Sequence, residues 1–319
     1  MKNWILCKHF FSGLFSTPDV KWKTLIICGL TCLFIFETFA QNKTDISLYL
    51  KQEPGNYLGQ VSAKSGDLYN ELGHHGPAVE NEWIGLRMYF DHKTAIDVYS
   101  KKRPGLELGT SRWYPDSSQQ IKGYGADYYK VGATVGLGGV RLWDGENVVP
   151  LNPVSKRSAR VVKEGTISYM EMLSEDIPYK GGQVDILVRV TVYTGIREAK
   201  VEAFALTDNE VQFVTGINYH DGQTIIEKEN YILTWGLHPE DVAPEKVRIG
   251  AAILFNGDYF TGKKNDGTQV LLISHPCRQL EHWITSANER ESGINTLEKF
   301  SEYVESKRDL CAGNTSVFP

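Results

Sequence analysis

From residue 166 to residue 274 the sequence is written almost entirely in strands. Thr166–Leu173, Gln183–Tyr193, Ala199–Leu206, Val211–Tyr219, Thr224–Leu233, Val247–Asn256 and Gln269–Ser274 are β-branched or alternating runs, separated by Gly, Asn and Asp turns. Asp185-Ile186-Leu187-Val188-Arg189-Val190-Thr191-Val192-Tyr193 is the clearest of them. Strands at intervals of roughly ten residues with no helical partners between them predict an antiparallel, all-β architecture. Only Thr296–Arg308 reads as a good helix, with Leu297, Phe300, Tyr303 and Val304 on one face. The expected fold is therefore one large antiparallel β-sandwich with a short C-terminal helix. At this size it can take the curved super-sandwich form seen in polysaccharide lyases and sugar mutarotases, in which a concave sheet face holds a glycan.

The first forty residues follow another grammar. Lys21 and Lys23 precede the apolar run Leu25–Phe36, and Ala40 stands before Gln41. A positive flank, a short apolar segment and a small residue form a secretory signal, so cleavage is expected after Ala40, with residues 41–319 as a single catalytic domain. A retained anchor would need ~20 apolar residues, more than this run supplies. Lipoprotein processing at Cys32 is disfavoured by Gly29, which stands where a larger aliphatic residue is usual. Export places the protein in the periplasm or outside the cell, with no stable membrane span after cleavage.

Removal of that segment takes away four lysines and two acidic residues, so the formal charge of −5 becomes −7. An acidic chain with no basic cluster is not a nucleic-acid binder by electrostatics. Three of the five cysteines leave with the segment. Cys277 and Cys311 remain, and they either pair in an oxidising compartment or stay as two thiols; neither stands in a catalytic pattern.

The first half of the mature chain carries the chemistry. Leu72-Gly73-His74-His75-Gly76-Pro77 leads into a strand in which Glu82, Ile84, Leu86, Met88 and Phe90 fall on one face and Trp83, Gly85, Arg87, Tyr89 and Asp91 on the other. The Arg87 face is expected to point away from the core. Thr94–Tyr99 follows a His92-Lys93 turn as the second strand of a hairpin. Residues 101–132 form a connection too long to be a plain turn, which brings aromatics and cations together in Arg112-Trp113-Tyr114 and Tyr128-Tyr129-Lys130. Exposed aromatics beside cations suit a sugar ring bearing a carboxylate; ordinary packing accounts for each of them singly. Gly132–Val140 lacks the Gly-Lys-Ser/Thr ending of a phosphate loop, so its glycines are expected at strand bends.

Seven histidines remain after cleavage. His92, His275 and His282 take structural readings. His74, His75, His220 and His238 stand in loops or at strand ends and are the candidates, although a lone histidine is more often a hydrogen-bonded structural residue. Adjacent side chains on extended backbone point opposite ways, so one of His74 and His75 faces a ligand and the other holds the loop. No His-Glu-x-x-His, Cys-x-x-Cys or Gly-x-Ser-x-Gly occurs. A divalent metal would have to be held by residues that converge in space, His74 or His75 with Glu80 and His220, and no cofactor is expected.

The blocks Leu72–Asp91, Asp97-Val98-Tyr99-Ser100-Lys101 and Gly123–Gly132 resemble the ulvan oligosaccharide dehydratase family, secreted bacterial proteins long filed as a domain of unknown function that accompany polysaccharide-degrading enzymes. The resemblance implies an anionic, sulfated oligosaccharide as substrate. Water would leave from C4 of a non-reducing-end glucuronic or iduronic acid linked to rhamnose 3-sulfate, giving a 4,5-unsaturated uronic acid. Chemistry then suggests the roles. The C5 proton lies alpha to a carboxylate, so the carboxylate charge must be neutralised, a base must take the proton and an acid must protonate the departing hydroxyl. Arg87, Arg112 and Lys130 are candidates for the first task, with Trp113 and His238 lining the sugar. His74 or His75 is the candidate base and Tyr128 or His220 the candidate acid, with swapped roles equally admissible. A uronate polysaccharide lyase uses the same chemistry but expels a sugar. A non-catalytic glycan-binding module or a mutarotase-like isomerase forms no double bond.

Overall fold

The computed structural model describes residues 43–239 and 245–311, and the expected export segment lies outside them. Three antiparallel sheets build the molecule. The largest has nine strands, in the spatial order β13 (Thr224–Glu227), β14 (Tyr231–Leu237), β15 (Arg248–Leu254), β18 (Gln279–Asn288), β11 (Ile196–Ala205), β10 (Gly182–Tyr193), β9 (Ile167–Tyr179), β8 (Lys156–Glu164) and β2 (Gln60–Ala63). A five-stranded sheet runs β16 (Phe260–Asn265), β17 (Gln269–Ser274), β12 (Phe213–Asn218), β6 (Arg141–Trp143), β7 (Val148–Val149). A four-stranded sheet runs β1 (Asp45–Ser47), β3 (Ala78–Glu80), β4 (Ile84–Met88), β5 (Ile96–Ser100).

Alternation explains how the sheets meet. On β10, Val184, Ile186, Val188, Val190 and Val192 all point inward, while Leu187 and Arg189 stay half-exposed on the outer face. Their inward row joins Met170 and Met172 of β9 and Val201 of β11 in a single buried cluster. Leu86, Met88 and Val98 from the four-stranded sheet and Phe213, Ile217 and Leu272 from the five-stranded sheet belong to the same cluster. The result is the all-β sandwich expected from the strand pattern.

Among the described residues the outer face of the nine-stranded sheet is covered at one end only. There α3 (Leu297–Ser306) packs Phe300 and Val304 against Trp235, Ala252, Leu254 and Trp283. Thr296 caps the helix by accepting the Lys299 N–H, and a Cβ at Gly250 would stand 2.6 Å from both Phe300 and Trp235, so only glycine permits this approach. Towards β10, β9, β8 and β2 the outer face is open.

Several elements depart from the sequence expectation. The run Thr224–Leu233 is two strands, because Lys228-Glu229-Asn230 turns the chain between β13 and β14. β8, β16 and β18 were not anticipated, although β18 lies near the middle of the large sheet. The connection 101–132 carries two short helices, α1 (Leu108–Ser111) and α2 (Ser117–Ile121), the latter begun by an Asp116–Gln119 capping box. Its return leg pairs beside β5 at Ser100–Ala126. Both faces of β4 are thereby buried, so the expectation that Arg87 faces away from the interior is corrected. Cys277 and Cys311 are free thiols rather than a disulfide. Gly136 and Gly138 do sit at left-handed bends, with φ of 71° and 73°.

Candidate functional site

The Gly73-His74-His75-Gly76 turn is shaped by close approach. A Cβ on Gly73 would stand 2.1 Å from the Tyr49 ring, and one on Gly76 would stand 1.9 Å from the Met88 carbonyl oxygen on β4. Between these glycines both histidines take left-handed backbone, with φ of 42° and 67°. That conformation is costly for a residue with a side chain and clusters at functional sites.

The two imidazoles have separate fates. His74 is buried, its Nε2 2.8 Å from Ser47 Oγ and its ring edge-on to Tyr49. Burial, with the nearby Arg87 charge, lowers its pKa to about 3. His75 is half-buried and lies flat on Tyr69 with ring centroids 3.9 Å apart. Its Nδ1 is 2.8 Å from the Tyr69 carbonyl oxygen. A carbonyl can only accept, so Nδ1 carries the proton and Nε2 keeps a lone pair. Burial lowers the His75 pKa to about 4, so the ring is neutral near pH 7.

Behind His75 lies Arg87. Its Nε and Nη2 donate to Asp97 Oδ2 at 2.9 and 2.6 Å, and Nη2 also donates to Asp127 Oδ2 at 2.9 Å. Nη1 donates to the Tyr114 hydroxyl at 2.8 Å and to the His74 carbonyl at 3.4 Å. Burial opposes the guanidinium charge, yet the two aspartates hold its pKa well above the ordinary value. Burial also raises the Tyr114 hydroxyl, with Arg87 pulling the other way, so it is protonated near neutral pH while 38% of the residue remains exposed. Tyr89 donates to Asp97 Oδ2 at 2.6 Å. Lys93 places Nζ 4.8 Å over the Tyr89 ring and 5.4 Å over the Tyr69 ring. A neutral imidazole with a free lone pair, a phenol whose oxygen receives an arginine N–H, and a half-buried lysine thus share one patch.

Trp113 belongs to this cluster but not to its surface. It is fully buried, stacks its ring 4.3 Å from the Arg87 guanidinium carbon and donates Nε1–H to Asp127 at 3.0 Å. The expected exposed aromatic is corrected to Tyr114, one residue on. Arg112 is exposed at the rim, 5.9 Å over the Tyr49 ring.

A second cluster gathers Lys130, His220 and His238. The Lys130 N–H donates to His238 Nδ1 at 3.0 Å, and the Lys130 carbonyl accepts from His220 Nε2 at 2.9 Å and Asn218 Nδ2 at 2.8 Å. These partners fix both tautomers: His238 carries its proton on Nε2, which is buried and has no hydrogen-bond partner among the described residues, and His220 keeps its lone pair on Nδ1. Burial, then the neighbouring His220, lowers the His238 pKa to about 3. The two rings stand 4.8 Å apart at the wall of a cleft of about 400 Å³, which Tyr219, Asp221, Pro239 and Thr268 also line. Asp127 and Lys130 anchor the same stretch of chain to the two clusters, at most ~10 Å apart along extended backbone. Tyr128 joins neither: its hydroxyl lies 3.3 Å from Glu245, and burial and that carboxylate push its pKa up to about 12.

Among the described residues no group of three or more His, Cys, Asp or Glu side chains is placed to hold a metal ion. The convergence that a metal would need is not made at Glu80, whose carboxylate accepts from Lys101 Nζ at 2.5 Å and from the N–H groups of Glu107 and Leu108. His282 is buried on Gly138 O and Thr215, as its structural reading requires.

Sequence reasoning gave no role to Tyr69, Tyr89, Lys93, Asp97 or Asp127, and placed Tyr114 only among the aromatics that suit a sugar ring. Two of these carried a signal. Tyr89 shares the strand face of Arg87 two residues away, and Asp97 is its cross-strand partner in the β4–β5 register.

A sandwich of three antiparallel sheets bearing a histidine, tyrosine and arginine cluster on its smallest sheet defines the class. The chain belongs to the family described as a domain of unknown function, DUF4861, which matches residues 37–315. No curated protein matches it. Among solved structures it is similar to a protein described as a candidate aldose 1-epimerase from Klebsiella pneumoniae, at 10% identity and a TM-score of 0.38, over 86% of this chain and 97% of that one. It is also similar to a heparan sulfate lyase from Pedobacter heparinus, at 10% identity and 0.34, over 67% of this chain and 33% of that one. A 4-alpha-glucanotransferase from Thermococcus litoralis matches at 9% identity and 0.33, over 66% and 37%.

Proposed function

We propose that the protein is an exported carbohydrate dehydratase that eliminates water across C4 and C5 of a uronic acid at the non-reducing end of an anionic, sulfated oligosaccharide, with ulvan fragments as the substrate implied by the sequence resemblance. One observation carries the reading: the Tyr69 carbonyl fixes the His75 tautomer so that Nε2 offers a lone pair beside a Tyr114 hydroxyl that Arg87 supports.

In this reading Lys93, whose Nζ stands 3.6 Å from Asp91 Oδ2, exchanges that partner for the substrate carboxylate, which makes H5 acidic enough to leave. His75 Nε2 takes H5, and the electron pair of the C5–H bond becomes the C4–C5 double bond as the C4–O4 bond breaks. Tyr114 gives its proton to O4, which departs as water, and the phenolate left behind is stabilised by the Arg87 Nη1–H. Solvent then returns the proton from His75 to Tyr114. Arg87 acts through Tyr114 and not on the sugar, because its other N–H groups are taken by Asp97, Asp127, the Tyr89 hydroxyl and the His74 carbonyl. Glucuronic and iduronic acids differ at C5, so the hydrogen and hydroxyl lie on the same side in one and on opposite sides in the other. Two proton-handling rings with centroids 6.5 Å apart give such a site a means to serve both.

The cleft beside His220 favours a second placement of the same chemistry, with Nδ1 of His220 as the proton-handling atom. Incubation of the protein with saturated, uronate-ended ulvan oligosaccharides, followed by ultraviolet absorbance and mass, tests both. Dehydration removes one water without shortening the oligomer, whereas a lyase releases a sugar. His75→Ala is expected to lower turnover by ~10²–10⁴-fold. Full activity in that variant with loss in His220→Ala moves the chemistry to the cleft. No absorbance change in the wild type leaves a glycan-binding module or an isomerase.

A further inference from the structure

The open end of the nine-stranded sheet carries a built feature that the elimination does not use. In the strand register Ser62, Ser158, Leu173 and Leu187 stand side by side across β2, β8, β9 and β10. The next outward-facing row is Gln60, Arg160, Glu171 and Arg189. On the other side Lys156 faces Glu175, paired at 2.8 Å. Short or apolar side chains between two rows of long polar ones leave a trough of about 490 Å³ that crosses the strands. Three strand spacings at ~4.8 Å make it roughly 15 Å long, enough for a few sugar residues.

Its charges are layered. Glu171 lies beneath, its side chain 8% exposed, and Arg160 and Arg189 lie above it at 50% and 33%. Arg160 Nε donates to Glu171 Oε2 at 2.8 Å, and its Nη2 stands 2.7 Å from the same oxygen and donates to the Tyr169 hydroxyl at 3.4 Å, while Arg189 donates to Oε1 from Nε at 2.7 Å and from Nη2 at 2.5 Å. The Tyr169 ring lies under both, 5.7 and 4.9 Å from the guanidinium carbons. Each arginine is thus held in place by one buried carboxylate while its Nη1 makes no hydrogen bond among the described residues. Solvent sees the cations and not the anion between them. Guanidinium groups fixed in this way with free N–H pairs match sulfate and carboxylate oxygens.

We propose that this trough is a second glycan-binding site, which holds a stretch of sulfated, uronate-bearing polysaccharide across the strands with its anionic groups on Arg160 and Arg189. The assignment of the ligand class rests on the proposed function, while the site shares no residue with the elimination cluster. It would keep the protein on the polymer from which its oligosaccharides come.

The test is retardation of the full chain in native gels cast with dermatan sulfate, a soluble sulfated uronate polymer, against its desulfated form and neutral dextran. Two variants probe the trough: the triple change Arg160→Gln, Glu171→Gln, Arg189→Gln, which removes the charges together, and Ser158→Tyr, which fills the floor. Retardation by the sulfated polymer that falls with added salt, and an apparent affinity at least tenfold weaker in both variants, is the expected result. Binding in Ser158→Tyr equal to wild type, or equal retardation by dextran, overturns the proposal, and Ser158→Tyr decides it if the triple variant misfolds. A wild type that binds the polymer but forms no unsaturated product refutes the activity and leaves this site standing; one that dehydrates oligosaccharides without binding the polymer does the reverse.

Discussion

Arg87 and the Arg160–Glu171–Arg189 ladder use the same two kinds of group in opposite proportions. Inside the four-stranded sheet one guanidinium serves two aspartates, and the whole assembly is buried. On the nine-stranded sheet one buried carboxylate serves two guanidiniums that face solvent. Taking a charge out of water costs several kcal/mol, so a buried ion must satisfy its partners internally, and Arg87 does so with nearly all of its donors. At the surface water meets that need, and the donors left over are available to a ligand. The difference separates a charge that shapes a site from charges that are offered to something outside.

The largest expected effect breaks the buried side of that contrast. Arg87→Met leaves Asp97 and Asp127 facing each other without a cation, and loss of one partner of a buried ion pair costs about 3–5 kcal/mol. Denaturant unfolding of this variant against Arg160→Met, for which ~1 kcal/mol or less is expected, measures it. Equal losses in the two would show that Arg87 is no more buried in solution than the ladder.

The imidazoles repeat the contrast and answer to pH. His74 has a folded pKa lowered to about 3, below the ordinary 6.5, so the unfolded chain binds the proton first. The stability this contributes is fully present above 6.5 and declines as pH falls from there to about 3. The slope for one such group approaches ~1.4 kcal/mol per pH unit. His238, also lowered to about 3, acts in the same sense. His74→Gln is therefore expected to flatten the loss of stability between pH 6 and pH 4 (roughly the window of the slope), as seen by unfolding at each pH. In the proposed elimination His75, half-open and lowered to about 4, would set a catalytic limb instead: kcat/KM is then expected to hold down to near pH 4 rather than to fall near 6.5. A midpoint at the ordinary histidine value would remove His75 as the base.

What the sequence revealed divides along the same line. Gln269–Ser274 matches its strand to the residue, and Leu297–Ser306 lies within the helix expected at Thr296–Arg308, because alternation and amphipathic spacing report burial on one face. β18 escaped because Leu280, His282 and Ile284 point inward together, and a buried histidine breaks the apolar pattern. The Gly-His-His-Gly turn could be marked as a candidate, yet which ring was open could not be read, since that depends on Ser47 and Tyr49 from a distant segment closing over His74. Trp113 looked exposed and is buried for the same kind of reason: its carboxylate partner Asp127 arrives from the far end of a long connection. Pairings made by register or by neighbours two residues apart could be read; those made by long loops could not.

The smallest effect sharpens the comparison through salt. Arg160 and Arg189 are exposed enough for ions to screen them, whereas Arg87 is not. Arg160→Gln is expected to shift stability by less than ~1 kcal/mol at low ionic strength and by nothing measurable at high ionic strength, because the side chain is 50% exposed and Glu171 retains Arg189. The penalty of Arg87→Met should persist across the same salt range, since its aspartates lie beyond the reach of counterions. Unfolding of both variants at two salt concentrations reads the difference directly. A ladder variant whose penalty survives high salt would mean that Glu171 and its arginines form a closed internal network, with no donors to spare for a glycan.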